Sequence, residues 1–262
     1  MGLTNQSCGT RVNKETFTKS TAKVDYVIAL AGNPNTGKST VFNALTGLNQ
    51  HTGNWPGKTV LRAEGKYIDH GLVFNLIDLP GTYSLQANSV EEQVTRDYLC
   101  FQKPDATIVV VDATCLERNL NLVLQVLEIT SKVVVCVNLV DEAKRKKICV
   151  NIDALAAKLG VPVVATAARD GIGLDKLVKT VTEVANGTLK TAPYYVQYHD
   201  SIENAIKKIQ PQIKLLVGEE EFNTRWLALK LLDKDQTVLT ELEKYLRRKE
   251  NVTTEIGGEL WA

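Results

Sequence analysis

The sequence lacks the features that define several common classes of protein. Its 262 residues contain no apolar run near the roughly eighteen residues that a membrane helix requires, and no hydrophobic leader opens the chain. An excess of one charge is also missing, since 31 basic residues face 30 acidic ones, so no broad attraction to nucleic acid or anionic lipid is expected. We therefore expect the chain as given to be soluble.

Cysteine motifs are lacking as well. The five cysteines, Cys8, Cys100, Cys115, Cys136 and Cys149, form no CxxC pair and have no ligand-like spacing with histidine. An odd and scattered set predicts reduced, mostly buried thiols of a cytosolic protein, and metal binding is the less favoured alternative.

Short β-branched runs alternate with helix-length segments from Tyr26 onward. Most of the runs are continuously apolar, which strands need when helices cover both faces of a parallel sheet. Strands are predicted over residues 26–31, 73–77, 107–111, 133–137 and 161–165. A weaker sixth strand, residues 60–67, is predicted to pair as a hairpin across Asp69-His-Gly71. The fold class is thus α/β, with a mostly parallel six-stranded sheet.

Composition divides the chain into three parts. Residues 1–24 are polar and predict a flexible segment, residues 25–187 form the α/β domain, and residues 188–262 predict a small helical bundle. Helices of the α/β domain are expected to begin near Lys38, Val90, Leu120, Ile152 and Leu174, and the fourth to end at Gly160. Helices of the bundle are expected over residues 201–217, 220–232 and 237–249.

A phosphate-binding motif occupies Gly32 to Ser39, after a predicted strand and at the start of a predicted helix. In GxxxxGK[ST] the backbone N–H groups surround phosphate oxygens, Lys38 reaches the β- and γ-phosphates, and the Ser39 hydroxyl ligates Mg²⁺. A glycine-rich turn that arose by chance is the alternative. The predicted nucleotide contacts are Gly32, Asn33, Pro34, Asn35, Thr36, Gly37, Lys38, Ser39 and Thr40.

Two further segments are expected beside the phosphates. Asp78-Leu-Pro-Gly81 follows a strand, so Asp78 is expected to approach Mg²⁺ through water, and the Gly81 N–H to reach the γ-phosphate. Alone, this motif is also an ordinary turn. Thr59 is predicted to complete the Mg²⁺ shell, with Thr52 and Thr46 as alternatives. Lys38, Thr59 and Gly81 are the residues assigned to catalysis.

A third motif, Asn138-Leu-Val-Asp141, follows the strand at 133–137. The Asp141 carboxylate can accept two hydrogen bonds from guanine N1 and N2, a donor pair that adenine lacks, whereas NxxD alone is common in turns. Asn138 is expected to support this loop. Ala167 and Ala168 follow the last strand, and the Ala168 N–H is the candidate donor to guanine O6. Together the motifs predict GTP and GDP as ligands.

These residues resemble a Ras-like P-loop GTPase of the TRAFAC class. The Asn-Pro-Asn of the phosphate loop, Asn54-Trp-Pro-Gly57 and the segment from Asp78 to Leu85 are similar to the FeoB family of prokaryotic ferrous-iron transporters. The resemblance covers about residues 25–187, and the helical tail is similar in place and size to that family's regulatory domain, which acts like a GDP-dissociation inhibitor.

The resemblance implies a K⁺ ion on Asn35, which would stimulate hydrolysis, and the alternative is an asparagine suited to a tight turn. Thr82 stands where Ras-type proteins place a water-orienting glutamine, so slow hydrolysis is expected. Leu139 replaces the usual lysine of the guanine motif, which predicts modest affinity.

The resemblance also implies partners and a location. The implied partners are a membrane transport segment of the same polypeptide and small transporter accessory proteins, and a homo-oligomer is left open. The implied location is the cytosolic face of the inner membrane. The alternative is a free ribosome-assembly-type GTPase with a basic surface on its carboxyl part. The basic residues of the carboxyl part are dispersed and Glu219 to Glu221 is an acidic run, so nucleic acid is not expected as a partner. A third alternative is a nucleotide-binding scaffold without turnover.

Overall fold

Seven strands form one sheet at the centre of the computed structural model, which describes residues 23–47, 50–218 and 222–259. The spatial order is β2-β3-β4-β1-β5-β6-β7. β1 is parallel to β4 and β5, and β6 is parallel to β5 and β7, whereas β3 is antiparallel to β2 and β4. The strands are β1 (Tyr26–Gly32), β2 (Gln50–Asn54), β3 (Leu61–Asp69), β4 (Leu72–Asp78), β5 (Ala106–Asp112), β6 (Val133–Asn138) and β7 (Val163–Ala165).

The α/β class is confirmed, but the prediction of six strands is wrong by one. The additional strand is β2, an edge strand in which Thr52 lies opposite Ala63 of β3. Its sequence, Gln-His-Thr-Gly-Asn, contains no apolar residue, and residues 51–54 are exposed. An edge strand without a buried face carries no alternation of apolar and polar residues, so its pattern resembles that of a loop.

The predicted hairpin is present between β3 and β4. Asp69 pairs with Leu72, which leaves His70 and Gly71 as a two-residue turn. Both have positive φ angles, 47° and 82°, as the turn that matches the twist of two antiparallel strands requires.

Helices cover both faces of the sheet. Alternate residues of β1 belong to two apolar clusters, Ala29 and Ala31 to one and Ile28 and Leu30 to the other. The helices of this part are α1 (Lys38–Thr46), α2 (Val90–Asp97), α3 (Leu116–Ile129), α4 (Val140–Arg145), α5 (Ile152–Leu159) and α6 (Leu174–Ala185). The sequence did not predict α4, whose six residues are too few for a periodic pattern. α3 begins four residues before the predicted start at Leu120.

Gly160 ends α5 as predicted. Its φ is 69°, and a Cβ at this position would lie 1.9 Å from the Ala192 carbonyl oxygen. The strand that follows begins at Val163 instead of residue 161, so the turn is longer than expected.

The carboxyl part consists of α7 (Asp200–Val217), α8 (Thr224–Leu232) and α9 (Gln236–Glu259). α8 begins four residues later than predicted because the Asn223 side chain accepts hydrogen bonds from the N–H groups of Arg225 and Trp226 and so caps the helix. Apolar residues of these helices, among them Ile206 and Trp226, share a cluster with α3. The helices therefore pack on the α/β part as well as on one another.

Three further sequence predictions concern the cysteines, residues 1–24 and membrane-spanning helices. Cys100 and Cys136 are buried, and burial raises the pKa of both thiols to about 12, but Cys115 and Cys149 are exposed. Among the four described cysteines the expectation of mostly buried thiols thus holds for two. Nearly all of the predicted flexible segment, 1–24, and Cys8 with it, lies outside the described residues. Within the described ranges, no helix has both the length and the apolar character to cross a bilayer.

Candidate nucleotide-binding site

The phosphate-binding loop connects the end of β1 to the start of α1. Asn35 and Gly37 have positive φ angles, 66° and 80°, and the Thr36 hydroxyl donates to the Asn33 carbonyl oxygen at 2.9 Å. A Cβ on Gly37 would lie 2.3 Å from Nδ2 of Asn138. The loop is thus a tight turn that only glycine at position 37 permits.

Lys38 and Asp78 meet although they lie on different elements. Lys38 begins α1 and is 9% exposed, Asp78 ends β4, and the Lys38 Nζ donates to Asp78 Oδ1. Burial raises the pKa of Asp78, and the neighbouring ammonium opposes that rise. The structure therefore brings together the two residues that the sequence assigned to the γ-phosphate and to Mg²⁺.

The donor atoms at the open side of the loop suit the expected cations. Ser39 and Asn35 are exposed, and with Asp78 they offer a hydroxyl, an amide carbonyl and a carboxylate, which are hard oxygen ligands of the kind that Mg²⁺ and K⁺ prefer. The amide of Asn33 is buried, and neither its nitrogen nor its oxygen has a partner among the described residues. Buried polar groups normally have partners, so this amide of the loop has hydrogen-bonding capacity that the protein itself does not use.

The Asp78-Leu-Pro-Gly81 segment lies against the phosphate loop. A Cβ on Gly81 would lie 3.5 Å from Cα of Pro34, and the Thr82 N–H donates to the Gly32 carbonyl oxygen at 3.3 Å. Thr82 is 4% exposed, and its hydroxyl has no partner in the described chain. Gly81 is thus near the loop as expected, and the Thr82 side chain points into the protein.

Thr59 is exposed in the turn between β2 and β3, where the Trp55 N–H donates to the Val60 carbonyl oxygen at 2.9 Å. Within the described residues no hydrogen bond joins it to the phosphate loop. Of the alternatives, Thr46 donates its hydroxyl to the Phe42 carbonyl oxygen inside α1, and Thr52 lies in β2. The role of Thr59 therefore stays a prediction.

Asn138 joins three segments of the site. It ends β6, is 1% exposed, and donates from Nδ2 to the Thr36 carbonyl oxygen at 3.0 Å. Its Oδ1 accepts from the Thr166 hydroxyl and from the Ala168 N–H, both at 3.1 Å. One buried amide therefore fixes the phosphate loop relative to the loop after β7.

The Ala168 N–H already has an acceptor in the protein. The sequence expectation gave this N–H to guanine O6, but it donates to Asn138, and the Ala167 N–H donates to the Ile172 carbonyl oxygen at 3.1 Å. Guanine O6 would have to share or displace the Asn138 oxygen, so the geometry does not support Ala168 as a free donor.

Asp141 lies in the first turn of α4, beyond Leu139, whose φ is 63°. Its Oδ2 accepts from Nη2 of Arg145 at 3.0 Å, and the Arg145 side chain is 68% exposed. An exposed pair of this kind contributes little to stability, so a ligand can compete for the carboxylate.

The chain also matches proteins of known family. Residues 26–181 match the FeoB amino-terminal family, described as ferrous iron transport protein B, and residues 198–258 match the FeoB cytosolic helical domain. The chain belongs to the FeoB family. The Fe(2+) transporter FeoB of Methanocaldococcus jannaschii is 45% identical over 213 residues, which cover 81% of this chain and 31% of that protein. The Escherichia coli (strain K12) transporter is 38% identical over 213 residues, 79% of this chain and 27% of its own length. This FeoB-family chain thus spans less than a third of these relatives.

Solved structures of FeoB cytosolic domains share the fold. That of T. maritima in a GDP form has a TM-score of 0.75 at 37% identity, and covers 85% of this chain and 86% of its own. That of L. pneumophila has a TM-score of 0.72 at 31% identity, and covers 83% and 88%. The predicted Ras-like domain with a helical carboxyl part is therefore confirmed.

Sequence reasoning missed two contacts of this FeoB-family site. The Thr166 hydroxyl bonds to the Asn138 amide across 28 residues, and no local pattern indicates such a contact. Arg145 lies four residues after Asp141, and this i, i+4 spacing of opposite charges was a readable signal.

Replacing Asn138 with Ala is expected to lower the free energy of unfolding by about 2–4 kcal/mol, because three hydrogen bonds are lost and buried partners are left unpaired. Thr166→Val removes one of these bonds and should cost about 1 kcal/mol. Urea unfolding of both variants checks this. Equal costs would contradict the bridging role of Asn138.

Proposed function

We propose that this chain binds GTP and GDP with Mg²⁺ and hydrolyses GTP slowly, with stimulation by K⁺, to regulate ferrous-iron transport. The observation that carries the proposal is the Asn138 amide, which holds the phosphate loop and the loop after β7 at one edge of the sheet. A nucleotide that spans both loops can contact Lys38 with its phosphates and Asp141 with its base. The GDP form of the T. maritima relative supports the same ligand class.

Residues of the phosphate loop would hold the triphosphate. Lys38 is placed to donate to the β- and γ-phosphates, and the start of α1 adds partial positive charge. Ser39, Asp78 and Thr59 would hold Mg²⁺, which neutralises negative charge on the phosphates when it is bound. The remaining contacts in the proposed site are Gly32, Asn33, Pro34, Thr36, Gly37 and Thr40.

Slow turnover follows from the residues near the γ-phosphate. Lys38 and the Gly81 N–H would stabilise negative charge on the transferred phosphoryl group, and the Thr59 N–H would contact the γ-phosphate. Thr82 is buried and offers no exposed amide to orient the attacking water. The Thr82 hydroxyl is buried as well, so it is not placed to orient water in place of an amide.

Steady-state phosphate release with saturating Mg²⁺ and GTP tests the activity, with ATP as the matched substrate. We expect slow release from GTP and much less from ATP, because only guanine has the donor pair for Asp141. Absence of release despite tight GTP binding would instead favour the scaffold without turnover. Salt-sensitive RNA binding would favour the ribosome-assembly alternative.

The K⁺ site is tested best by Asn35→Gly. Because Asn35 has a φ of 66°, glycine removes the side chain without the strain that alanine would add. We expect phosphate release by the variant to lose its response to K⁺, measured against Na⁺ at equal ionic strength. A retained response would contradict the assignment of Asn35 and favour the alternative of an asparagine suited to a tight turn.

For the whole protein, we propose that residues 25–187 form the GTP-binding domain and that residues 188–262 form the helical domain that acts like a GDP-dissociation inhibitor. The proposed partner is the membrane transport segment of the same polypeptide, with small accessory proteins and a homo-oligomer as further candidates, at the cytosolic face of the inner membrane. The family match supports this arrangement.

A further inference from the structure

A cavity of about 650 Å³ lies between the α/β part and the helical part. Its wall is formed by α3, by the segment that precedes α7, by α7 and α8, and by Leu85 and Gln86. None of the residues assigned to the nucleotide lines this cavity. Its volume falls within the range of pockets that bind small molecules, roughly 300–1,000 Å³. The cavity is therefore large enough for an organic ligand.

Most of the cavity wall is apolar. Its apolar side chains come mainly from three helices and include Leu124, Ile202, Ala205, Trp226 and Leu229. Ile202 is 38% exposed although its side chain is large and apolar. A ligand that covers such side chains removes apolar surface from water, which favours binding. The wall thus suits a ligand with an apolar body.

Glu128 brings a carboxyl group into this wall. The residue lies in the last turn of α3 and is 7% exposed, and its Oε1 accepts from the Val196 N–H at 3.2 Å. Its Oε2 is buried and has no hydrogen-bond partner among the described residues. Burial raises the pKa of this carboxyl group, because the charged form loses its hydration in the protein. One oxygen of Glu128 can thus accept a hydrogen bond from a ligand in the cavity.

The cations near the cavity are bound to other carboxylates. Arg225 donates to both oxygens of Glu203, at 2.7 and 2.8 Å, and Lys230 lies 3.4 Å from Oδ2 of Asp235. In the part of the chain that the structure describes, Glu128 forms no ion pair. A buried carboxylate without a bound cation is unfavourable, so a cationic ligand would offset that cost.

We propose that this cavity binds a small molecule with an apolar body and an ammonium group, and that the ammonium donates to Glu128 Oε2. An ammonium supplies both the missing hydrogen-bond donor and the opposite charge, and charge-assisted hydrogen bonds are roughly twice as strong as neutral ones. A hydroxyl group would supply the donor without the charge. The inference does not depend on the proposed GTP site.

Tryptamine and tryptophol test this proposal as a matched pair. Both carry an indole ring on an ethyl chain, which ends in an ammonium group in one and in a hydroxyl group in the other. At about pH 8 the amine is charged and protonation of Glu128 is disfavoured. NMR titration of the whole chain should give a dissociation constant of about 1 mM for tryptamine and binding about tenfold weaker for tryptophol. The resonance of the Val196 N–H, which donates to Glu128, should shift as tryptamine binds.

Glu128→Gln separates the charge of the site from its shape. The amide has nearly the size of the carboxylate but no charge, so tryptamine should bind this variant about tenfold more weakly and tryptophol should change by less than about twofold. Glu117→Gln is the matched control, because it removes the same charge from an exposed position of α3 that does not line the cavity. Both affinities should be unaltered in this control.

Ala205→Trp tests the location of the site, since a large side chain at this position of the wall fills part of the cavity. The variant should bind both compounds at least about tenfold more weakly, because the ligand body no longer fits. Melting temperatures identify unfolded variants, and Ala205→Leu replaces Ala205→Trp if that variant does not fold.

Several results would overturn the proposal. They are equal affinities for the two compounds in the unaltered chain, no saturable tryptamine binding up to about 10 mM, and full tryptamine affinity in a folded Glu128→Gln or Ala205→Trp variant. An equal loss in Glu117→Gln would contradict it as well. If Glu128→Gln does not fold, the affinity ratio of the unaltered chain and the shift at Val196 decide. No nucleotide enters these measurements, so a failure of GTP binding would leave the outcome unchanged.

Discussion

Asp141→Asn is expected to invert the base preference, with the ratio of GTP to xanthosine triphosphate affinity changing by about 10³-fold or more. In the proposed site the carboxylate would accept from guanine N1 and N2, whereas xanthine presents a carbonyl oxygen in place of the exocyclic amino group. An asparagine amide can donate to that oxygen. Equilibrium binding of both nucleotides to the variant measures the ratio.

Glu142→Gln is the matched control for this change. Glu142 is the next residue of α4 and also lies near Arg145, at 3.7 Å. Glu142→Gln removes the same charge from the same helix turn, but Glu142 has no assigned contact to the base. The preference of this variant for GTP should therefore not change. An unaltered preference in Asp141→Asn, or an equal change in Glu142→Gln, would place base recognition elsewhere.

Lys38→Ala is expected to weaken GTP binding by about 100-fold, because an ammonium hydrogen bond to phosphate contributes up to roughly 3 kcal/mol. Titration of GTP against both proteins measures the loss. Lys66→Ala, at an exposed position of β3, removes the same charge away from the site and should bind normally.

The structure indicates a second cause for a loss of GTP affinity in Lys38→Ala, and the experiment must separate it from the lost phosphate contact. Without Lys38, the half-buried Asp78 carboxylate has no cation and repels phosphate, so part of the loss is indirect. Lys38→Ala with Asp78→Asn removes that repulsion, although it also removes the proposed Mg²⁺ carboxylate. Measured without Mg²⁺, the double variant should recover some affinity but stay weaker than the unaltered chain. Full affinity in Lys38→Ala would contradict the phosphate site itself.

The predictability of the fold differed between elements for physical reasons. β1, β5 and β6 are buried on both faces, so their continuous apolar sequence was enough to place them within a residue or so of their bounds. Residues 51–54 of β2 are exposed and α4 is six residues long, so neither element shows a periodic pattern of apolar residues.

The candidate site shows the same division. Spacing and order placed Lys38 at the start of α1, and Asp78 and Asn138 at the carboxyl ends of strands, where sheets of this class bind ligands. Asp141 follows β6 as expected but lies in α4, a helix that the sequence did not predict. The sequence predicted that the Ala168 N–H donates to guanine O6, and only the packed loop shows that this N–H donates to Asn138 Oδ1.

By itself, the sequence determined the α/β class, the order of the three nucleotide motifs and the helical character of the carboxyl part. These depend on residue types at short separations, where backbone geometry alone relates one residue to the next. Only the tertiary structure decided which distant groups meet. Lys38 and Asp78 are 40 residues apart, Thr36 and Asn138 are 102 apart, and Arg96 and Thr237 are 141 apart. Such contacts form when separate elements pack together, and no local pattern encodes them.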